Sequence, residues 1–241
     1  MKKIFLILSL GIVLWFIPWV FVLHLGVAAY FPYHPDGSRF LRVTGPVVGM
    51  LTGNGWTKSE NIPKACKNAL VAAEDGNFYS HFGVDLQGIK NAWKKNRKKG
   101  KIRAGGSTIT QQTVKNIFLS RTRSYLRKSR ELVGAVLLDL TMSKDKQLTW
   151  YLNAVEFGPD LYGIENAALY YFKRKPENLS FDQCVSLVSL LPDPKRSGPA
   201  LKNNQQNSRS RARYRQIVRT MHRSGKVPKN SMASVENHFE P

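Results

Sequence analysis

The sequence predicts a mainly α-helical domain standing behind one apolar anchor helix. Three observations carry that prediction. Residues Ile4 to about Val27 form an almost wholly apolar run, with His24 its only strongly polar side chain. That run is long enough to cross a bilayer as one helix, which takes about 20 residues. Several later segments repeat apolar side chains at three- and four-residue spacing, as amphipathic helices do. Strand signals are missing: Asp36-Gly37 and Asp75-Gly76 occur, but their flanks do not alternate, and the chain has no internal repeat.

Taken in order, Lys2 and Lys3 precede the apolar run and favour a cytoplasmic N-terminus, a bias weakened by Arg39 and Arg42 beyond it. A cleaved signal peptide is the rival reading, with Val27-Ala28-Ala29 as its small-residue site. The length of the run favours an uncleaved anchor. Both readings put the remainder outside the cytoplasm. We read residues 1–31 as cytoplasmic tip and transmembrane anchor, 32–60 as an irregular juxtamembrane connector, and 61–241 as one domain. Ile62 to Ala73 has a helical rhythm, with Pro63 acceptable in the first turn. Gln87 to Lys95 reads as a second helix, and Lys94 to Arg103 as a solvated basic loop bordering a membrane. Thr108–Leu119 is a helix opened by a capping box, Thr108 with Gln111. Tyr125–Thr141 is another, with a broad apolar face of Leu126, Leu132, Val133, Val136, Leu137 and Leu140. Ser143 is placed to cap a helix through Val155, and Tyr162–Phe172 forms a short one. Ser180 and Gln183 make a second capping box for a helix ending at Pro192. Ser208–Ser224 is a basic helix closed by Gly225.

The net charge is +21, from 37 Lys and Arg against 16 Asp and Glu. Alone, that balance points to nucleic acid. The export signal excludes that partner and leaves lipid headgroups, lipid-linked pyrophosphate or acidic wall polymers. Cys66 and Cys184 lie far apart in apolar, helix-like surroundings without a disulfide framework, which predicts two separate core thiols.

The densest chemistry lies in the run Gly105-Gly106-Ser107-Thr108-Ile109-Thr110-Gln111-Gln112-Thr113-Val114-Lys115-Asn116. A polar helix start beside a lysine suits an anion such as phosphate. Upstream stands Glu74-Asp75-Gly76-Asn77-Phe78-Tyr79-Ser80-His81-Phe82-Gly83, and downstream Arg127-Lys128-Ser129-Arg130-Glu131. Trp150-Tyr151-Leu152-Asn153, Glu156-Phe157-Gly158 and Tyr162-Gly163-Ile164 follow. With these motifs, in this order over roughly residues 60–200, the chain resembles the peptidoglycan glycosyltransferases. The resemblance implies a lysozyme-like α fold and the monofunctional form, since the chain ends without room for a transpeptidase domain.

It further implies that Glu74 is the catalytic base and Glu131 the second catalytic carboxylate. Glu74 ends an apolar helix, where desolvation favours a base with a raised pKa. Ser107, Thr108, Gln111, Gln112, Lys115 and Asn116 are expected to line the substrate cleft, with Lys115 the most important. Arg123, Arg127 and Lys128 join Lys115 around a diphosphate, to which guanidinium forks and compact ammonium groups are suited. Tyr151, Asn153 and Gly158 are expected in the far wall, with Asn153 a substrate-binding residue, and His81 shapes the site. Two positions depart from the common pattern: Thr149 and Gln183 stand where many members carry Glu. The expected partners are lipid II, the growing glycan strand, the membrane and other wall-synthesis proteins. No cofactor is required; a divalent cation, Mg or Mn, is the one assistant considered. The rival readings are a muralytic hydrolase, which also uses two carboxylates, and a non-enzymatic basic scaffold at the membrane surface.

Overall fold

The computed structural model describes residues 55–99, 105–119, 124–203 and 207–227. The anchor expected in residues 1–31 lies outside the described residues. Among those described, no helix is long and apolar enough to cross a membrane. In chain order come α1 (Lys64–Glu74), α2 (Leu86–Lys99), α3 (Ile109–Phe118), α4 (Tyr125–Thr141) and α5 (Lys144–Ala154). A hairpin of β1 (Glu156–Gly158) and β2 (Leu161–Tyr162) follows, then α6 (Ile164–Phe172), α7 (Phe181–Leu190), α8 (Pro194–Lys202) and α9 (Ser208–Arg223).

Two cores organise these helices. The larger joins α1, α5, α6, α7 and α9, burying Leu70, Leu152, Ala168, Val185 and Ile217 among others. The smaller lies between α3, α4 and α5, where Val114, Ile117, Phe118, Leu138 and Ala154 meet and Trp150 packs against them. The helix starts follow from local chemistry. Both capping boxes form: Gln111 N–H donates to Thr108 Oγ1 at 3.1 Å while Thr108 N–H donates to Gln111 Oε1 at 2.8 Å. Ser180 and Gln183 repeat the pattern. Ser124 accepts from Arg127 N–H, and Asn207 from Ser210 N–H, at the starts of α4 and α9. Ser143 occupies the N-cap position of α5, but its hydroxyl makes no capping bond.

Five expectations need correction. Lys94 to Lys99 belong to α2 and not to a loop, because the run before Gly100 is rich in good helix formers. Residues 156–162 form an antiparallel hairpin too short to show alternation. No helix is expected between Pro192 and Ser208, yet α8 lies there; Pro194 stands in its first turn, where a missing N–H costs nothing. Cys66 and Cys184 form a disulfide, because α1 and α7 pack directly and bring their Cα atoms to 4.6 Å. Sequence distance says nothing about such a meeting.

The fifth concerns α4. It buries Glu131, Gly134, Ala135 and Leu138, while Leu126, Val136 and Leu140 are exposed. The reason is close approach. A Cβ on Gly83 would lie 2.3 Å from the Ala135 carbonyl oxygen, and one on Gly134 would lie 2.8 Å from Val114. Small residues line the packed side of α4 beside Leu138, so Leu126, Val136 and Leu140 face outward.

Candidate active site

The acidic motif is fixed to the start of α3 by Asp75. Its buried carboxylate accepts from Ile109 N–H at 3.0 Å and from His81 Nε2 at 2.9 Å. Burial raises the Asp75 pKa, and the Ile109 N–H and His81 oppose that rise. The His81 carbonyl in turn accepts from Lys144 Nζ at 2.7 Å, and Lys144 pairs with Asp139 at 2.6 Å. His81 is therefore part of the frame, as expected.

Glu74, at the last position of α1, is held on both oxygens. Arg213 of α9 donates to Oε1 at 2.9 Å and also reaches the Ala73 carbonyl. Gln112 Nε2 of α3 donates to Oε2 at 3.0 Å, and the Gln112 Oε1 accepts from the Tyr151 hydroxyl at 3.1 Å. The Glu74 side chain keeps 16% exposure, so it is not sealed from solvent.

Glu131, only 3% exposed in its side chain, is held from its own helix. Arg127 donates to Oε2 at 3.0 Å, and Lys128 pairs with Oε1. Lys128 Nζ also donates to Ser107 Oγ at 3.0 Å, tying α4 to the glycine-led turn before α3. The charges of both Glu131 and Glu74 act on Lys115 of α3. Its side chain reaches solvent, but the protein crowds the ammonium. Desolvation, with Arg127 and Lys128 adding to it, holds its pKa below the ordinary lysine value against the pull of the two carboxylates.

Glu74, Gln112, Lys115, Ser107, Arg127, Lys128 and Glu131 thus come together. Asn116 is half-buried one position beyond Lys115. Thr108 and Gln111 are buried; the Thr108 hydroxyl and Gln111 Oε1 serve the cap, Thr108 also donates to the Gly83 carbonyl, and Gln111 Nε2 is buried without a hydrogen-bond partner. Asn153 is buried too: its amide pairs with the Thr57 backbone at 2.9 Å in both directions and donates to the Thr149 carbonyl. These three expected cleft residues act as framework, because each polar atom that bonds does so within the protein. Arg123 lies outside the described residues. Thr149 bonds to the Asp145 carbonyl and Ser59, and Gln183 completes its cap, so both unusual positions are structural.

Arg213 escaped the sequence reading because it sits among Arg209, Arg211 and Arg215. The available signal was position: it lies one turn before buried Ile217, at the edge of the apolar face of α9. Among the described residues no three His, Cys, Asp or Glu side chains cluster as metal ligands. Both Glu131 oxygens accept from cationic side chains of the same helix.

The transglycosylase family model matches residues 48–222. A biosynthetic peptidoglycan transglycosylase of Acinetobacter baylyi is 42% identical over 67% of this chain and 75% of its own length. The protein of that name from Ralstonia nicotianae is 39% identical over 70% of this chain and 75% of its own. One from Acinetobacter baumannii is 35% identical over 79% and 84%. Matched across most of its length, this chain belongs to the transglycosylase family.

Proposed function

We propose that the chain polymerises lipid II into β-1,4-linked glycan strands during cell wall synthesis, releasing undecaprenyl diphosphate. The observation that carries this reading is the cation cluster at Glu131, where Arg127 and Lys128 pair with the carboxylate and Lys128 also reaches Ser107, with the charges of Glu131 and Glu74 both felt at Lys115. Glu74 takes the proton from the 4-hydroxyl of the acceptor N-acetylglucosamine. That oxygen bonds to C1 of the N-acetylmuramic acid at the lipid-linked end of the growing strand. The C1–phosphate oxygen bond breaks, the configuration at C1 inverts, and the diphosphate leaves with the bonding pair. Lys115, Arg127 and Lys128 stabilise its charge, with Arg123 expected beside them. Fixed positive charge at a leaving group is among the larger catalytic contributions. Glu131 is not placed to act as a nucleophile, since cations hold both its oxygens; its role is to hold those cations.

We place the domain outside the cytoplasmic membrane, tethered by residues 1–31. Phe82 and, on α2, Leu86, Ile89 and Trp93 are exposed, beside exposed Lys90, Lys94 and Arg97. An apolar face rimmed by basic residues suits a lipid–water interface, where a lipid-linked substrate arrives. A hydrolase has no need of the cation set, because the bond it breaks carries no phosphate. Purified protein is tested with lipid II and with mature wall. Strand synthesis is expected, and Glu74→Gln is expected to lower its rate by about 10²–10⁴-fold, the usual weight of a general base. Soluble muropeptides without strand synthesis favour the hydrolase, and an unchanged rate in the variant removes Glu74 as the base.

A further inference from the structure

A carboxylate acting as a base must be ionised and aimed, and Gln112 is the only described amide that reaches Glu74. An amide can present either of its ends. Facing an ionised carboxylate, only the NH2 end bonds, and the oxygen end repels. What holds Gln112 in the bonding orientation lies behind it. The Tyr151 hydroxyl, on α5, donates to Gln112 Oε1 at 3.1 Å. Tyr151 is 1% exposed and seated in the larger core, so it does not reach substrate.

We propose that Tyr151 is a positioning residue for glycosyl transfer, fixing through Gln112 the orientation of the Glu74 carboxylate. The bonds run one way: Tyr151 O–H to Gln112 Oε1, then Gln112 N–H to Glu74 Oε2. Burial, and the nearby Glu74 charge, push the Tyr151 pKa well up, so the phenol keeps its proton and remains a donor. Arg213 holds the other carboxylate oxygen. Turning the amide over breaks both bonds and sets Oε1 against the carboxylate, so the phenol favours a single orientation.

The inference rests on the reading of Glu74 as the base. It is tested by lipid II polymerisation with wild type, Tyr151→Phe, Gln112→Ala and the double variant, after thermal unfolding has shown each to be folded. Tyr151→Phe keeps the ring in the core and removes one hydroxyl. It is expected to lower kcat about tenfold, the worth of one hydrogen bond to a poised group. KM is expected to hold. In the Gln112→Ala background the same change is expected to cost less than about twofold, because the relay is already gone. Equal losses in the two backgrounds, or a rise in KM at constant kcat, overturn the inference. A polymerising wild type with an unchanged Tyr151→Phe variant overturns the inference alone. A wild type that makes no polymer overturns the transferase reading and this inference with it.

Discussion

Glu74 and Glu131 are both held by cations, yet their supports differ in kind. Glu74 is reached by Gln112 from α3, backed by Tyr151 from α5, and by Arg213 from α9. These partners are distant in sequence and meet only after the helices pack. Glu131 is held by Arg127 and Lys128, one turn away on the same helix. The proposed base is a product of tertiary assembly, whereas the proposed diphosphate side is prepared within a single helix. The surroundings match: Glu74 ends a helix packed into the larger core, while Glu131 sits on a helix whose outer face is apolar and exposed.

The change with the largest expected effect strikes the place where the two regions touch. Gly83 lies at φ +68°, a conformation costly for a side chain, and directly against the Ala135 carbonyl of α4. Gly83→Ala is expected to destabilise the fold by about 2–5 kcal/mol, read from chemical denaturation. It also separates the two carboxylates, so polymerisation falls with it. Stability within about 0.5 kcal/mol of wild type breaks the account of how α4 is seated.

Next comes the contrast between non-local and local support. Arg213→Ala removes a charged partner from a mostly buried carboxylate, and kcat is expected to fall about 10–100-fold. Arg127→Ala leaves Lys128 on Glu131, so a loss of about 3–10-fold is expected. The reverse order, measured side by side in steady state, ends the comparison as drawn. The smallest effect concerns Lys115. Its pKa is lowered, so the ammonium is lost at a lower pH than an ordinary lysine loses its own. Activity is therefore expected to decline on the alkaline side before the usual lysine range, about pH 10.4. Lys115→Arg is expected to move that limb upward, since a guanidinium stays charged. A limb that stays put assigns it to another group.

The difference between the two regions also explains what the sequence disclosed. Features made within one helix were legible: the bounds of α4, the Thr108 and Ser180 capping boxes, and the Arg127–Glu131 pair all depend on near neighbours. Features made by packing were not. Arg213 is one arginine among several until α9 lies on α1. Thr108, Gln111 and Asn153 read as polar cleft residues, but burial turns their groups inward to bond with Gly83, the α3 cap and Thr57. The apolar stripe of α4 read as a core face, because periodicity reports an amphipathic side and not which side the neighbours choose. Gly134 and Ala135, too small to weigh in such a count, made that choice.

The Cys66–Cys184 bond has a consequence for the order of events in biogenesis. The two sulfurs are separated by 118 residues, and the loop they close contains both carboxylates, the polar run and the Tyr151 relay. Such a bond forms where the surroundings are oxidising, not in a reducing cytosol. For a chain that emerges N-terminus first, Cys66 arrives early and waits until α7 follows. The latch on the Glu74 helix therefore shuts only after the residues from Glu74 to Tyr151 have been delivered to the same compartment. An enzyme whose substrate exists only on that side of the membrane would then reach its fully braced form only there.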